Sequence, residues 1–223
     1  MIVGRIAAVA SRPVRTAPPA ALARLTLLAG LGAQDDIHAD AASPRQLLLA
    51  NAAVYEHFAL PPHALRENLL LDIETNCLGS GTVLQIGAEA RLRIMFQCEA
   101  CGQLDHVQPR LAQRIGNRRG MLARVLAGGQ VHAGDPVLDL GLLAPAWSDD
   151  WRERVRCVLD AVPPGHVVEY RILARLAGIQ SSYCRAFPRL LARLGPGYAA
   201  KAVSAQSPRS HPRWQGEGMF DRS

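Results

Sequence analysis

Apolar and polar residues alternate in short segments over the first 140 residues, and glycines separate these segments. Such alternation is typical of half-buried strands joined by turns. The pattern predicts strands over residues 2–10, 65–73, 81–87, 90–97, 120–126 and 131–140. Helices are predicted over residues 20–31, 46–58 and 111–114. Many short strands at this spacing favour a barrel-like β architecture.

The last third of the chain follows a helical pattern instead. Val155, Val158, Leu159 and Val162 have the spacing of one face of an amphipathic helix. Helices are predicted over residues 151–162, 171–177 and 181–194, with an extended segment over 167–170. Two short helices joined by a turn, the second rich in arginine, favour a helix-turn-helix arrangement. The polar residues after Tyr198 are expected to be poorly ordered.

Charge is distributed unevenly between these two parts. Residues 1–150 contain 13 Arg and 14 acidic residues, whereas residues 151–223 contain 12 Lys or Arg and 5 acidic residues. The difference favours two modules, of which the second faces a polyanion. Lys201 is the single lysine among the 25 basic residues, so the arginine bias of a GC-rich genome is an equally good explanation.

Cysteine usage and hydropathy indicate the compartment. Five cysteines stand at scattered positions, which is not the pattern of a secreted disulfide framework. Arg5 interrupts the N-terminal apolar run, and no segment reaches the roughly 18 uninterrupted apolar residues of a membrane span. We therefore expect a soluble, cytoplasmic protein with reduced thiols and no membrane partner.

The strand predicted over residues 90–97 runs directly into Cys98-Glu-Ala-Cys101. A structural zinc site usually needs two such pairs, and a thioredoxin-like pair needs a helix N-terminus, which Gly102 and Pro109 do not favour. Two stronger alternatives are that the thiols are small buried apolar groups, or that a soft thiolate binds a transition metal such as molybdenum. The candidate polar and basic companions of such a metal cofactor are Asp36, His38, Arg45, Arg66 and Asn68.

Residues 1–140 resemble the MOSC family, the domain found at the C-terminus of molybdenum-cofactor sulfurases and in stand-alone bacterial proteins. The matching segments, in the family's order, are Gly32 to His38 with Arg45-Gln46, Arg66-Glu-Asn-Leu69, Leu78 with Gly81 to Gly87, the cysteine pair, and Gly120 to Leu126 with Gly129 and Gly134-Asp135-Pro-Val. Asp35-Asp36 departs from the Gly-Asp that the family often has.

The resemblance implies a β-barrel-like fold that binds the molybdenum cofactor (molybdopterin). By position the family's cysteine is Cys101, which would serve as metal ligand or sulfur carrier, with Cys98 as a second candidate ligand. The associated chemistry is reduction of N-hydroxylated compounds or sulfur transfer. The expected partners are therefore a small N-oxygenated or sulfur-containing substrate and an electron-donor protein.

Residues 151–216 resemble the DNA-binding domain of the O6-alkylguanine-DNA alkyltransferases and alkyltransferase-like proteins. The matching segments are Val155 to Tyr170, Arg171 to Gly178, and Ser181 to Leu191. The family's Pro-Cys-His-Arg would fall on Tyr198-Ala-Ala-Lys201, so the acceptor cysteine is missing and alkyl transfer is not expected.

DNA binding is what this second resemblance implies. Arg185 would fill the duplex after a nucleotide flips out, and Tyr170 would help at the backbone. Arg189 and Arg193 would supply salt-dependent contacts with phosphate. The alternative is a winged-helix domain that is kept for packing or dimerisation.

The patterns and resemblances together predict an α+β protein. A β-barrel-like MOSC domain (residues 1–142) and a linker (143–150) precede a small, mainly α winged-helix domain (151–216) and a tail (217–223). One predicted function is a molybdenum-cofactor-binding oxidoreductase or sulfur carrier with an appended, non-catalytic domain that binds duplex DNA. The other is an alkyltransferase-like protein that recognises modified bases, with the MOSC domain in a structural or sensing role.

Overall fold

The computed structural model describes residues 1–208 and 210–221. Contacts divide the chain into two units, and each is described by itself. The first unit comprises Met1–Ala41 and Arg45–Trp147, and the second comprises Ala42–Pro44 and the chain from Ser148 onward. Among the described residues, no helix combines the length and the apolar character that crossing a membrane requires.

Short strands make up most of the first unit. They are β1 (Ile2–Ser11), β2 (Ala20–Leu22), β3 (Arg24–Leu28), β4 (Gly32–Ala33), β5 (Leu47–Asn51), β6 (Leu69–Leu71), β7 (Thr82–Ile86), β8 (Ala90–Gln97), β9 (Met121–Ala127), β10 (Gly129–His132) and β11 (Pro136–Leu142). The α-helices of this unit are α1 (Ala52–Phe58) and α2 (Leu111–Ile115). Turns of 3₁₀ helix lie at Thr75–Cys77, Gly102–His106 and Gly116–Arg119.

Seven of these described strands close into a barrel in the order β11-β7-β8-β9-β5-β6-β1, because β1 also pairs with β11. Strand β2 extends the sheet beyond β1, and β3 pairs with β10 and β4 in a smaller sheet. Strands β5 and β6 are parallel. Parallel neighbours need a crossover connection, and the chain between them contains α1. Leucines from several strands fill the interior, among them Leu49, Leu69, Leu71, Leu84 and Leu92, each fully buried.

The predicted strands are confirmed at 2–10, 81–87, 90–97 and 120–126, within one or two residues at each end, and α2 confirms the helix at 111–114. Only Leu69–Leu71 of the predicted strand 65–73 is extended. The strand predicted over 131–140 is divided into β10 and β11. His132 N donates to Asp135 Oδ2 at the turn between them, which lies at the predicted Gly134-Asp135.

Two helix predictions for the first unit were wrong. Residues 20–31 form β2 and β3, because Leu25 and Leu27 alternate with more exposed neighbours and pair across to β10. Residues 47–51 form a strand that is buried throughout, between β9 and β6, and only Ala52–Phe58 is helical. A short, wholly apolar run does not reveal by its periodicity whether it is a buried strand or a buried helix.

The second unit is mainly helical. Its elements are α3 (Trp151–Ala161), β12 (Val168–Glu169), α4 (Tyr170–Leu176), α5 (Phe187–Leu194), α6 (Pro196–Ala199) and β13 (Ala202–Val203). The Asp150 carboxylate caps α3 by accepting from Arg152 N. Arg154 is buried and donates to three backbone carbonyl groups, at Ser148, Asp149 and Ala177. That the unit is a winged-helix domain stays a prediction.

Two expectations for the second unit need correction. The helix predicted over 181–194 is a 3₁₀ helix at Ser181–Ala186 and an α-helix only from Phe187. Described residues after Tyr198 pack against the rest of the unit: β13 pairs with β12, and Trp214 is 4% exposed and donates its backbone N–H to Val167 O. Of the predicted tail, residues 222 and 223 lie outside the described residues.

Candidate functional site

The two thiols lie where β8 leaves the barrel. Cys98 directly follows β8, donates its backbone N–H to Gly120 O, and is 2% exposed. Cys101 is half-buried and precedes the 3₁₀ helix Gly102–His106, whose Leu104 N–H donates to Cys101 O. The sequence did not favour a helix after the pair, and the structure has only the short 3₁₀ helix there. Solvent therefore reaches the Cys101 thiol but not the Cys98 thiol.

Arg119 connects the two sulfurs. Its Nε donates to Cys98 Sγ at 3.1 Å, and its Nη1 donates to Cys101 Sγ at 3.5 Å. The residue is 7% exposed. Burial by itself lowers the pKa of Arg119, but attraction to Cys98 and Cys101 and the hydrogen bonds to them outweigh burial, so the pKa is raised. The guanidinium therefore stays charged between the two sulfurs.

Backbone packing at Gly120 fixes the position of Arg119. Gly120 has φ +121, and a Cβ built on it would lie 2.1 Å from Leu49 O on the neighbouring strand. Only glycine fits this close approach in this conformation. The β8–β9 register, with Gln97 opposite Met121, then brings the residue before Gly120 to the end of β8. Sequence reasoning missed Arg119, although pairing the two predicted strands as a hairpin would have found it.

A cavity of about 130 Å³ lies on the other side of Arg119. Its lining includes Arg66, Gln103, His106 and Arg119, all of them polar side chains without a carboxylate. Arg66 is held in the left-handed region at φ 61, and its Nη1 donates to Gln103 Oε1 at 2.8 Å. This volume is about that of a few water molecules, which suits a small anionic group.

Asp36 and Asn68 are buried and bonded to each other. Asn68 Nδ2 donates to Asp36 Oδ2 at 3.0 Å, and Asn68 Oδ1 accepts from Leu48 N. Asp36 also accepts the backbone N–H groups of Arg12 and His38, each at 2.8 Å. The hydrogen bonds of both side chains therefore connect the loop that carries His38 to the barrel.

Arg12 and His38 lie at the edge of this pair and face each other. Arg12 Nη2 and His38 Nε2 are 3.0 Å apart. Burial is the largest cause lowering the pKa of His38; Asp36 opposes it, and Arg12 and Arg45 add to the lowering. A neutral His38 can accept the hydrogen bond from Arg12. Arg12 was also missed, although Arg12-Pro13 marked the end of the first predicted strand.

Arginines are crowded in this region. Burial and then repulsion from Arg66 lower the pKa of Arg12, despite the opposing effect of Asp36. Arg45 Nη2 lies 3.9 Å from Cys98 Sγ, at the limit of a contact with sulfur. The structure thus brings Cys98, Cys101 and Arg45 to Arg119, with Arg66 at the adjoining cavity. Within residues 1–208 and 210–221, no group of three or more His, Cys, Asp or Glu side chains is placed to hold a metal ion.

In the second unit, the predicted DNA-binding side chains lie on or near α4 and α5. The Tyr170 ring packs edge-on against the buried Phe187, with ring centroids 5.5 Å apart. Its backbone oxygen accepts from Cys184 Sγ at 3.4 Å. Arg185, in the 3₁₀ helix, and Arg189, on α5, are both exposed.

The segment Tyr198–Lys201, where the predicted resemblance would place an acceptor motif, contacts α3. Tyr198 OH donates to Asp160 Oδ1 at 2.8 Å, and Lys201 Nζ donates to Leu159 O at 2.8 Å. A lysine that binds the last carbonyl groups of a helix also complements the negative end of its dipole. In this protein the segment therefore stabilises the C-terminus of α3.

Comparisons with known proteins bear on the first unit. Residues 37–138 match the profile of the MOSC domain. No curated protein matches the sequence. The crystal structure of the YuaD protein from Bacillus subtilis is similar in fold (TM-score 0.55, 16% identity, covering 60% of this chain and 93% of that one). A crystal structure described as that of a hypothetical protein gives a TM-score of 0.51 at 19% identity, covering 86% of this chain and 91% of that one. At these identities the likeness is one of fold alone, and the match to a family is that of residues 37–138 to the MOSC domain.

Proposed function

We propose that the first unit binds the molybdenum cofactor and uses Cys101 as a sulfur carrier. The observation that carries the proposal is the Arg119 guanidinium, which donates to both Cys98 and Cys101. The thiolate, not the thiol, attacks a substrate or binds a metal. The Arg119 guanidinium is a charged donor, and hydrogen bonds with a charged partner are the strong ones.

The side chains around Cys101 fit an anionic cofactor. A thiolate is a soft ligand for a transition metal, and guanidinium groups match phosphate geometry. The repulsion between Arg12 and Arg66 supports an anion as the missing partner, because an anion would relieve it. Cys101 would be the sulfur ligand, and Arg66 and Arg119 would hold the anionic group. When bound, molybdenum would supply the two electrons that reduce an N-hydroxylated substrate, whose oxygen would leave as water.

The sulfur-carrier step uses the protein's own residues. The Cys101 thiolate attacks the terminal sulfur of a sulfane-sulfur donor, so that a bond forms between Cys101 Sγ and that sulfur. The bond from that sulfur to the rest of the donor breaks, and its electron pair leaves with the donor. Cys101 is left as a persulfide. Arg119 stabilises the sulfur anion before and after the transfer, and Arg66 at the cavity would hold an anionic donor.

The first experiment measures the two activities on one set of proteins. Wild type, Cys101→Ser and Cys77→Ser are purified, bound molybdenum and pterin are quantified, and cyanide-labile sulfur is quantified immediately after loading with inorganic polysulfide. Cys77 is an exposed thiol of the same unit and serves as the control. We expect Cys101→Ser to lose the labile sulfur and to bind less molybdenum, and Cys77→Ser to keep both. Labile sulfur that persists without Cys101 would contradict the carrier role, and a wild type without molybdenum or pterin would contradict cofactor binding.

We propose duplex DNA binding as a second function, carried by the second unit. Residues 151–223 hold 12 basic and 5 acidic residues, and Arg185, Arg189 and Arg193 are exposed on neighbouring turns. Neutralising phosphates releases counterions, so binding should weaken steeply with salt. The likeness of this unit to an alkyltransferase domain gives Arg185 the part of a side chain that enters the duplex.

Fluorescence anisotropy with a short duplex tests this second function. Arg185→Ala is expected to weaken binding by about 1–3 kcal/mol if the side chain enters the base stack, the range of a base contact. Arg175→Ala, an exposed arginine on α4, is the control for charge alone. Wild type that binds no DNA at low salt would exclude the function.

A further inference from the structure

We infer that Cys98 is the residue that discharges the sulfur carried by Cys101, releasing it as hydrosulfide. The inference rests on the proposed carrier function of Cys101 and adds a second catalytic thiol to it. The burial of Cys98 by itself does not suggest a reactive cysteine. Its relation to Arg119 and Cys101 does.

The two sulfurs share one cation. Arg119 contacts Cys98 Sγ at 3.1 Å through Nε and Cys101 Sγ at 3.5 Å through Nη1 of the same planar group. The guanidinium is buried, so both sulfurs are neighbours of one largely desolvated cation. Three positions separate the cysteines in sequence, the spacing at which a pair can close into a disulfide without moving distant elements.

Burial assigns different steps to the two thiols. Cys98 is 2% exposed, so an external sulfur donor cannot reach it, whereas Cys101 is half-buried. A cysteine kept only as a small apolar side chain needs no charged donor, and burying a guanidinium beside an uncharged group is unfavourable. The shorter contact of Arg119 is nevertheless with Cys98. This arrangement suits Cys98 as a nucleophile that reacts with Cys101 and not with external molecules.

The discharge step balances as a thiol exchange. The Cys98 thiolate attacks Sγ of the Cys101 persulfide, and the Cys98–Cys101 disulfide forms. The bond between Cys101 Sγ and the outer sulfur breaks, and its electron pair leaves on that sulfur as hydrosulfide. The carried sulfur is thereby reduced by two electrons and the cysteine pair is oxidised by two. An external thiol such as glutathione then reduces the disulfide and returns the enzyme to its starting state.

A single tryptic peptide distinguishes the thiol, persulfide and disulfide forms of the cysteine pair by mass. Trypsin cleaves after Arg93 and Arg110, so residues 94–110 are released with Cys98 and Cys101 and without the other three cysteines. Full-length protein is loaded with inorganic polysulfide, freed of excess reagent, and sampled over time by mass spectrometry of this peptide. Hydrosulfide in solution is measured in parallel. Wild type, Cys98→Ala, Cys101→Ser and the control Cys77→Ser are compared.

In wild type and Cys77→Ser we expect the persulfide peptide, heavier by one sulfur atom, to be replaced by the disulfide peptide, lighter by two hydrogens. One hydrosulfide should be released for each disulfide formed. In Cys98→Ala the persulfide should persist at least about tenfold longer, because the internal thiol is absent. If Cys101 takes up sulfur in wild type but no disulfide forms, or if Cys98→Ala loses sulfur as fast as wild type, the inference fails and the carrier function stands. If Cys101 takes up no sulfur in any protein, both fail. Since the disulfide is sought in wild type, the result does not depend on how well Cys98→Ala folds.

Discussion

Replacing Arg119 with methionine removes the cation between the thiols and keeps a straight side chain of similar length. The buried Nε and Nη1 donors disappear, while Cys98 stays in place through its backbone bond to Gly120 O. A neutral thiol tolerates an apolar neighbour, so the protein is expected to fold. The change should therefore act on the reactivity of sulfur more than on stability.

The size of the effect follows from the contact with Cys101. A hydrogen bond to a charged group contributes about 1.5–3 kcal/mol. The contact is long, at 3.5 Å, and Cys101 is half-buried, so the lower end of this range applies. At about 1.4 kcal/mol for each factor of ten, and with part of the effect offset by the higher intrinsic nucleophilicity of a sulfur without its cation, Cys101 should be alkylated roughly three- to tenfold more slowly in Arg119→Met.

Alkylation by iodoacetamide measures this rate with an internal reference. The exposed Cys77 lies on a different tryptic peptide, so the ratio of alkylation at Cys101 to that at Cys77 corrects for reagent and time. Arg118→Met is the matched control, because Arg118 lies over the Phe58 ring and donates to backbone carbonyl groups. An unchanged ratio in Arg119→Met, or an equal fall in Arg118→Met, would refute the reasoning.

Three further predictions concern stability. His63 is hydrogen-bonded to the buried Glu67, and this bond raises the pKa of His63. The stability that the bond contributes is fully present below about pH 6.5 and is lost as the pH rises through the raised pKa. His63→Gln should therefore flatten that part of the plot of unfolding free energy, measured with denaturant, against pH. The effect of His38 on stability has the opposite pH dependence, because burial lowers the pKa of His38. The free energy of unfolding should fall as the pH drops below about 6.5 in wild type and should fall less in His38→Gln. Gly120→Ala should lower the melting temperature far more than Gly134→Ala; both glycines have positive φ, but only at Gly120 would the new Cβ meet a backbone oxygen, at 2.1 Å. Equal losses in the two alanine variants would show that conformational strain, and not the close approach, decides the cost.

Sequence patterning predicted the elements in which polar and apolar residues recur at the period of the element. In the strand at 90–97, Arg91, Arg93 and Gln97 alternate with apolar residues, although most of the strand is buried. In α3 the buried apolar residues Val155, Val158 and Leu159 have helical spacing. The pattern failed where that contrast is absent. Leu47–Asn51 is buried on every side, so its apolar run carried no period that could distinguish strand from helix.

The sequence by itself determined the chemistry that is available: a thiol pair after a strand, arginines on both sides of it in the chain, and a basic last third. Tertiary structure decided which of these groups meet. Closure of the barrel and the close approach at Gly120 place Arg119 between Cys98 and Cys101, although 18 residues separate it from Cys101 in the chain. The same packing turns Asp36 and Asn68 inward to each other, so that they position a loop. Hydrogen bonds act over about 3 Å, and only the fold brings residues distant in sequence within that range.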